Sequence, residues 1–178
     1  EIGLGIPAEP LFRSQTLRIG SATAKGLAYA LNVPVVNVPT LEAMAYNFYG
    51  TDKVICPIMD ARRNQVYTGI YSFENNGLSI YLDSSAMDIM ELIPKLQEID
   101  KPVIFTGDGI PVFRDIIDKE LKTPHEYGRA GFNRQRASSV ALLGAELYKA
   151  GKTEKAEEHL PEYLRMSQAE RERMEKNG

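Results

Sequence analysis

The chain has 178 residues, 43% hydrophobic and 25% charged, which is enough to build a real core as one domain or two small lobes. A formal net charge of −3 argues against a strong nucleic-acid footprint, and the single cysteine, Cys56, excludes an internal disulfide framework. No run approaches the ~20 apolar residues of a membrane span, and no basic-then-apolar leader opens the sequence, so a cytoplasmic protein without membrane contact is expected.

Residues 1–15 do not read as a domain start. Pro7 and Pro10 are expected to break any regular element there, and material is expected to be missing before or within this segment. Thr16 is the expected N-cap of a helix over Leu17–Leu31, ended by Asn32. At about 100° per residue, Arg18, Ser21, Lys25 and Tyr29 share one narrow polar face. Leu17, Leu27 and Leu31 share a sector with Gly20, Ala24 and Ala28. Ile19, Ala22, Thr23, Gly26 and Ala30 form a second sector beside it. The apolar arc covers roughly two-thirds of the circumference, against about a third for an ordinary surface helix. One flank suffices to cover the helix's own sheet. The other, lined by small residues, admits a partner's backbone; the plain alternative is a helix buried between two layers of its own domain.

Val33–Val38 reads as a buried strand, and Thr40 as the cap of a short helix, Leu41–Tyr49, closed by Gly50. A strand follows at Lys53–Met59, then a turn at Asp60–Asn64. The strand Gln65–Phe73 alternates Val66, Thr68 and Ile70 against Tyr67, Gly69 and Tyr71. Asn75-Asn76-Gly77 signals a turn into a third antiparallel strand, Leu78–Leu82. Ser85 with Asp88 opens a helix to about Gln97, which Pro94 is expected to kink or end. Pro102–Phe105 is a strand leading through Thr106-Gly107-Asp108-Gly109 into a helix, Pro111–Leu121, with Val112, Phe113, Ile116 and Ile117 on one side. Residues 122–135 read as irregular. Ala137–Lys149 is a helix with Val140, Leu143 and Leu147 inward and Gly151 just past its end; a capping box, Ser167 to Glu170, opens a charged terminal helix. This order predicts an α/β sandwich on a mixed sheet.

Catalytic motifs are sparse. His125 and His159 lie far apart with no ligand-spaced partner, so no metal site is expected. Neither a phosphate-binding Gly-x-x-x-x-Gly-Lys-Ser/Thr loop nor a Gly-x-Ser-x-Gly elbow is present. Cys56, inside an apolar run, reads as a buried small hydrophobe. Two polar segments stand out. Asp60-Ala61-Arg62-Arg63-Asn64-Gln65 sets a carboxylate and two guanidiniums on a turn, which suits a phosphate or carboxylate; the plain reading is a solvated turn with Asp60 bonding its own backbone. Thr106-Gly107-Asp108-Gly109 offers backbone N–H groups at a helix start, or is simply a strand-to-helix turn.

The run Leu17-Arg-Ile-Gly-Ser-Ala-Thr-Ala-Lys-Gly-Leu-Ala-Tyr-Ala-Leu followed by Val35-Val-Asn-Val-Pro-Thr-Leu-Glu-Ala-Met-Ala, then Asp60-Ala-Arg-Arg-Asn-Gln-Val-Tyr, Gly107-Asp-Gly and Pro161-Glu-Tyr-Leu-Arg, together resemble the bacterial TsaB (YeaZ) family over residues 16–165. The resemblance implies an α/β, actin-like (ASKHA) two-lobed fold of RNase H-like domains. Residues 1–48 would be a remnant of the first lobe, 49–160 the second lobe and 161–178 a charged terminal helix. It implies a non-catalytic scaffold, without cofactor or metal, that binds and activates a TsaD-like catalytic subunit for threonylcarbamoylation of adenosine 37 in tRNA. A TsaE-like ATPase joins that pair, tRNA is met through the complex, and a homodimer forms in the catalytic subunit's absence. The residues matching the family's docking helix are Leu17, Ile19, Ala22, Thr23, Gly26 and Ala30; Asp60, Arg62 and Asp108 are candidates for contact with nucleotide or the third subunit.

The family's opening strand hairpin and its Gly-Pro-Gly-Ser-Phe-Thr-Gly run are absent; Glu9-Pro-Leu-Phe-Arg-Ser-Gln-Thr stands in the latter's place. Much of the first lobe is therefore missing from the sequence. The competing readings are enzymes of the same superfamily. A metalloprotease needs a histidine pair at helical spacing, an ATP-dependent transferase needs the first lobe's nucleotide hairpin, and a sugar or acetate kinase needs small residues where Ala61-Arg62-Arg63 stands.

Overall fold

The structure, a computed structural model, describes residues 9–75, 77–161 and 164, with side chains from residue 17 onward. The expected capping box and charged helix beyond residue 164 lie outside the described residues, as do residues 1–8 and Asn76. The chain divides into two compact units, one of residues 1–37 with 147–163, the other of 38–146 with 164–178.

The first unit is built on α1, Glu9–Leu31, a helix of 23 residues and so about 34 Å long. It begins well before Thr16, which lies inside it rather than capping it. Pro10 does not break it, because in a first turn the missing N–H has no helical acceptor to lose. Asn32 ends the helix as expected, in the left-handed region at φ 52°. Val33–Val38 is not a buried strand: Val33 is exposed, and pairing is limited to one antiparallel bridge, Val35 with Glu154. Both bridge hydrogen bonds are 2.9 Å. Gly151, at φ 73°, turns the chain after the last helix, with its N–H on the Tyr148 carbonyl and that of Lys152 on Leu147.

The second unit carries α2 (Thr40–Ala45), β1 (Val54–Asp60), β2 (Gln65–Glu74), β3 (Gly77–Asp88), α3 (Ile89–Ile99), β4 (Val103–Thr106), α4 (Ile110–Glu120), β5 (His125–Tyr127) and α5 (Ala137–Lys149), whose last turn counts with the first unit. The sheet order is β3-β2-β1-β4-β5. β1, β2 and β3 form an antiparallel meander, and β4 and β5 add in parallel to β1. The mixed α/β sandwich expected from the sequence is thus present.

Alternation along β1 builds the core. Val54, Cys56 and Ile58 point to one face, where Val66, Ile70 and Phe105 join Leu92 and Leu96 of α3 and Phe113 and Ile117 of α4. Ile55 points to the other, under Leu41 and Met44 of α2 and beside Tyr71. α5 shares that second side: Ser139 bonds Asn47, Glu146 accepts from the Tyr46 hydroxyl, and a Cβ on Gly144 would lie 3.4 Å from Val38.

Several boundaries differ from the sequence expectation. Thr40 is the first residue of α2 and Pro39 the N-cap; the helix tightens into a 3₁₀ turn at Tyr46–Phe48 instead of running to Tyr49. Ser85 belongs to a longer β3, and Asp88 alone caps α3, accepting the Met90 N–H at 2.8 Å. Pro94 neither ends nor shortens α3, because it sits on the exposed face, where water can take the Met90 carbonyl it leaves free. Val112 faces solvent, so α4 packs through Ile110, Phe113 and Ile117, with Ile116 partly buried beside them. Val140 is likewise partly exposed, leaving Leu143 as the buried anchor of α5. Residues 122–135 are not wholly irregular: they hold β5 and a 3₁₀ turn, Ala130–Phe132.

Candidate functional site

The docking residues expected on the first helix lie on an uncovered surface. Leu17 is 48% exposed, Ile19 67%, Leu27 61% and Leu31 69%; Ala22, Thr23, Gly26 and Ala30 are exposed as well. A side chain built on Gly20 or Gly26 would meet nothing within 4 Å. The face that packs is the one with Ser21, Lys25 and Ala28. Lys25 Nζ donates to the carbonyls of His159 at 2.8 Å and Glu157 at 3.4 Å. His159 in turn holds Glu154 through Nδ1 at 2.9 Å. Ala28, Tyr29, Asn32 and Val33 line a cleft of about 830 Å³ with residues 153–158. The helix therefore packs through Ser21, Lys25 and Ala28, where the lysine can satisfy chain carbonyls, and leaves Arg18 and Tyr29 of the polar stripe exposed together with Leu17, Ile19, Leu27 and Leu31.

The two polar segments converge at one end of the sheet. Parallel β1 and β4 finish side by side, Pro57 opposite Thr106, so Asp60 and Asp108 follow neighbouring strand ends. The carboxylate of Asp60 accepts the Arg62 N–H at 2.8 Å and lies 3.6 Å from the Arg62 guanidinium. Arg62, Arg63 and Asn64 all have positive φ, at 66°, 54° and 60°, in a turn closed by Gln65 N–H to the Arg62 carbonyl at 3.0 Å and Ala61 N–H to the Gln65 carbonyl at 2.9 Å. Asp60 thus bonds its own turn, the plain reading weighed from sequence.

The glycines of Thr106–Gly109 have a packing reason. A Cβ on Gly107, at φ 118°, would fall 2.1 Å from the Ile58 carbonyl oxygen, and the Gly109 N–H is spent on that same oxygen at 3.0 Å. Asp108 is exposed between them.

A third segment reaches this sheet end without a marked sequence signal. The chain leaving β5 runs through residues 128–136 and is tied down by buried side chains. Asn47 Nδ2 donates to the carbonyls of Phe132 at 2.8 Å and Arg134 at 3.0 Å, and Thr106 Oγ1 donates to Phe132 at 2.8 Å. Gln135 Nε2 reaches Met59 Sδ at 3.7 Å. The only sequence clue was an acid-free run carrying Arg129, Arg134 and Arg136.

The histidines are separate. His125 Nε2 and the Tyr127 hydroxyl both meet Asp118 Oδ1, at 3.0 and 2.6 Å. The hydrogen bonds from Tyr127 and His125 hold the Asp118 carboxyl below its ordinary range. His159 belongs to the first unit. Among the described residues, no group of three His, Cys, Asp or Glu converges as a metal site, and no helix is long and apolar enough to cross a membrane. Burial pushes the Cys56 thiol up to about 12.

Residues 14–173 match the family model described as TsaD, tRNA N6-adenosine threonylcarbamoyltransferase. The chain is 36% identical over 156 residues to the tRNA threonylcarbamoyladenosine biosynthesis protein TsaB of Bacillus subtilis (strain 168), covering 86% of this chain and 66% of that protein. It is 28% identical over 153 residues to the protein of the same name from Escherichia coli (strain K12), covering 84% and 64%. The chain therefore spans just under two-thirds of these relatives. Among solved structures it resembles, at TM-score 0.67 and 22% identity, an uncharacterized Pseudomonas aeruginosa protein with similarity to peptidase YEAZ, covering 83% of this chain and 67% of that one. It also resembles YeaZ from the same organism, at TM-score 0.65 and 22% identity, over 82% and 67%. These likenesses support the actin-like fold class.

Proposed function

Because the chain belongs to the TsaB family, we propose that it serves tRNA threonylcarbamoyladenosine biosynthesis as a non-catalytic scaffold, docking on a TsaD-like catalytic subunit and ordering that subunit for transfer to adenosine 37. The observation that carries this reading is the uncovered face of α1, where exposed Leu17 and Ile19 flank Ala22, Gly26 and Ala30. Small residues let a second helix approach closely, and the leucine and isoleucine side chains supply apolar area to bury. In this reading 1–48 belongs to a first lobe, 49–160 to the second lobe and 161–178 is a charged terminal segment. The same α1 face pairs two copies when the catalytic subunit is absent, and the sheet end with Asp60, Arg62 and Asp108 faces nucleotide or a TsaE-like ATPase. The partner's surface, not a cluster on this chain, supplies the chemistry.

The test is sedimentation of the purified chain with a TsaD-like subunit. A complex is expected with the native chain and not with Ala22→Leu or Gly26→Leu. Unchanged complex formation in both variants would sink the interface assignment. ATP turnover or threonylcarbamoyl transfer by the isolated chain would favour the superfamily-enzyme reading instead.

A further inference from the structure

We propose that residues 128–136 form an RNA-contacting surface, in which Arg129, Arg134 and Arg136 receive phosphodiester oxygens and the Arg136–Phe132 pair receives an unstacked base. The chain as a whole is acidic, at −3, yet this loop carries three arginines and no carboxylate. The positive charge is therefore local, on one loop at the sheet end.

The loop is built to hold its shape. Its backbone carbonyls at Phe132 and Arg134 are taken by Asn47, and that at Phe132 also by Thr106. Asn47 is itself fixed by the Ser139 hydroxyl at 2.7 Å, and Asn133 Nδ2 closes the loop on the Gly128 carbonyl at 2.9 Å. Gly128 packs closely, since a Cβ there would lie 2.7 Å from Asn133 Oδ1 and 2.8 Å from Phe48 Cζ, so those side-chain tips would have to shift. Asn47, Thr106 and Ser139 are buried, whereas Arg129, Arg134 and Arg136 are exposed. An inward network thus fixes the backbone while three guanidiniums face solvent, so little ordering remains to be done on binding.

The aromatic contact favours nucleic acid over an acidic peptide. The Arg136 guanidinium lies 4.9 Å from the Phe132 ring centroid, and Phe132 is 37% exposed. Arginine and aromatic planes together make a stacking platform for an unpaired base, which a carboxylate has no use for. Arg63, on the β1–β2 turn, lies at the same sheet end, and the Gln135–Met59 contact ties the loop to the end of β1. The acids of that end are Asp60, which accepts the Arg62 N–H, Asp108, and Asp88 opposite Gln65, whose carboxylate accepts the Met90 N–H.

The choice of RNA rests on the tRNA-modification reading above; the anionic character of the partner does not. The test is fluorescence anisotropy of a labelled RNA stem-loop titrated with the chain by itself across a salt series. The native chain is expected to bind. The double variant Arg129→Ala with Arg134→Ala is expected to weaken binding about tenfold and to lower the salt slope by about two. The corresponding lysine variants should recover most of the loss, and Phe132→Ala should weaken binding to the stem-loop more than to a fully paired duplex. The proposal is overturned if the native chain does not bind, if the alanine variants bind as it does, or if polyglutamate displaces the RNA as well as polyuridylate does. Since the catalytic subunit is absent from this assay, its failure leaves docking through α1 standing, and failed docking with RNA binding retained leaves this proposal standing.

Discussion

Replacing Gly26 by leucine separates docking from folding. Gly26 lies inside α1, and a side chain there would meet nothing within 4 Å. Glycine in a helix interior is about 0.8–1 kcal/mol less favourable than alanine, and leucine is close to alanine. With no clash to offset that gain, Gly26→Leu should stabilise the helix by roughly 0.7 kcal/mol, raising the melting temperature by about 2 °C for a chain of this size. Against a partner helix the same isobutyl group enters a close backbone approach. Overpacking there costs about 1–3 kcal/mol, equivalent to a roughly 5- to 150-fold rise in Kd. Thermal unfolding of the isolated chain and isothermal titration with the TsaD-like subunit read the two effects separately. A variant destabilised by more than about 1 kcal/mol would mean that the helix face is buried in the folded chain. An unchanged Kd would mean that the partner docks elsewhere. Either result refutes the reasoning.

Gly107→Ala should behave oppositely. Its Cβ would sit 2.1 Å from the Ile58 carbonyl oxygen on a backbone at φ 118°, so strain and displacement of β1 should lower stability by about 2–4 kcal/mol in a urea titration; a change within about 0.5 kcal/mol would contradict the packing described. Cys56, fully buried with its thiol pushed up to about 12, should resist a thiol reagent at neutral pH until the chain unfolds; labelling of the folded chain on the timescale of the denatured one would show that the site opens. Asp118 is held below its ordinary value of 3.8 by Tyr127 and His125. A carboxyl depressed in the folded state stabilises above its unfolded pKa, and that stability is lost as pH falls through the folded value. Asp118→Asn should therefore flatten the acid limb of the stability profile, and an unchanged limb would mean that the hydrogen bonds are not made in solution.

Local chemistry made most elements legible. Val66, Thr68 and Ile70 share one face because a strand has period two, and all three are buried as their spacing implies, while Tyr71 is buried on the other face. Asn32, Gly50 and Gly151 mark left-handed positions where their elements end. Pro10 and Pro94 misled because a proline's effect depends on whether its missing hydrogen bond was available or solvated. β5 was hidden for another reason: three residues, His125–Tyr127, become a strand only because β4 offers a free edge. The breadth of the apolar arc on α1 could be counted from residue types alone. Which side of it packs could not, since a lysine faces inward only where carbonyls such as that of His159 wait to receive it. The sheet end was equally out of reach. Asp60, Asp108 and Arg134 lie far apart in the chain, and only the parallel pairing of β1, β4 and β5 brings their segments together, because strand ends are neighbours by hydrogen bonding rather than by sequence.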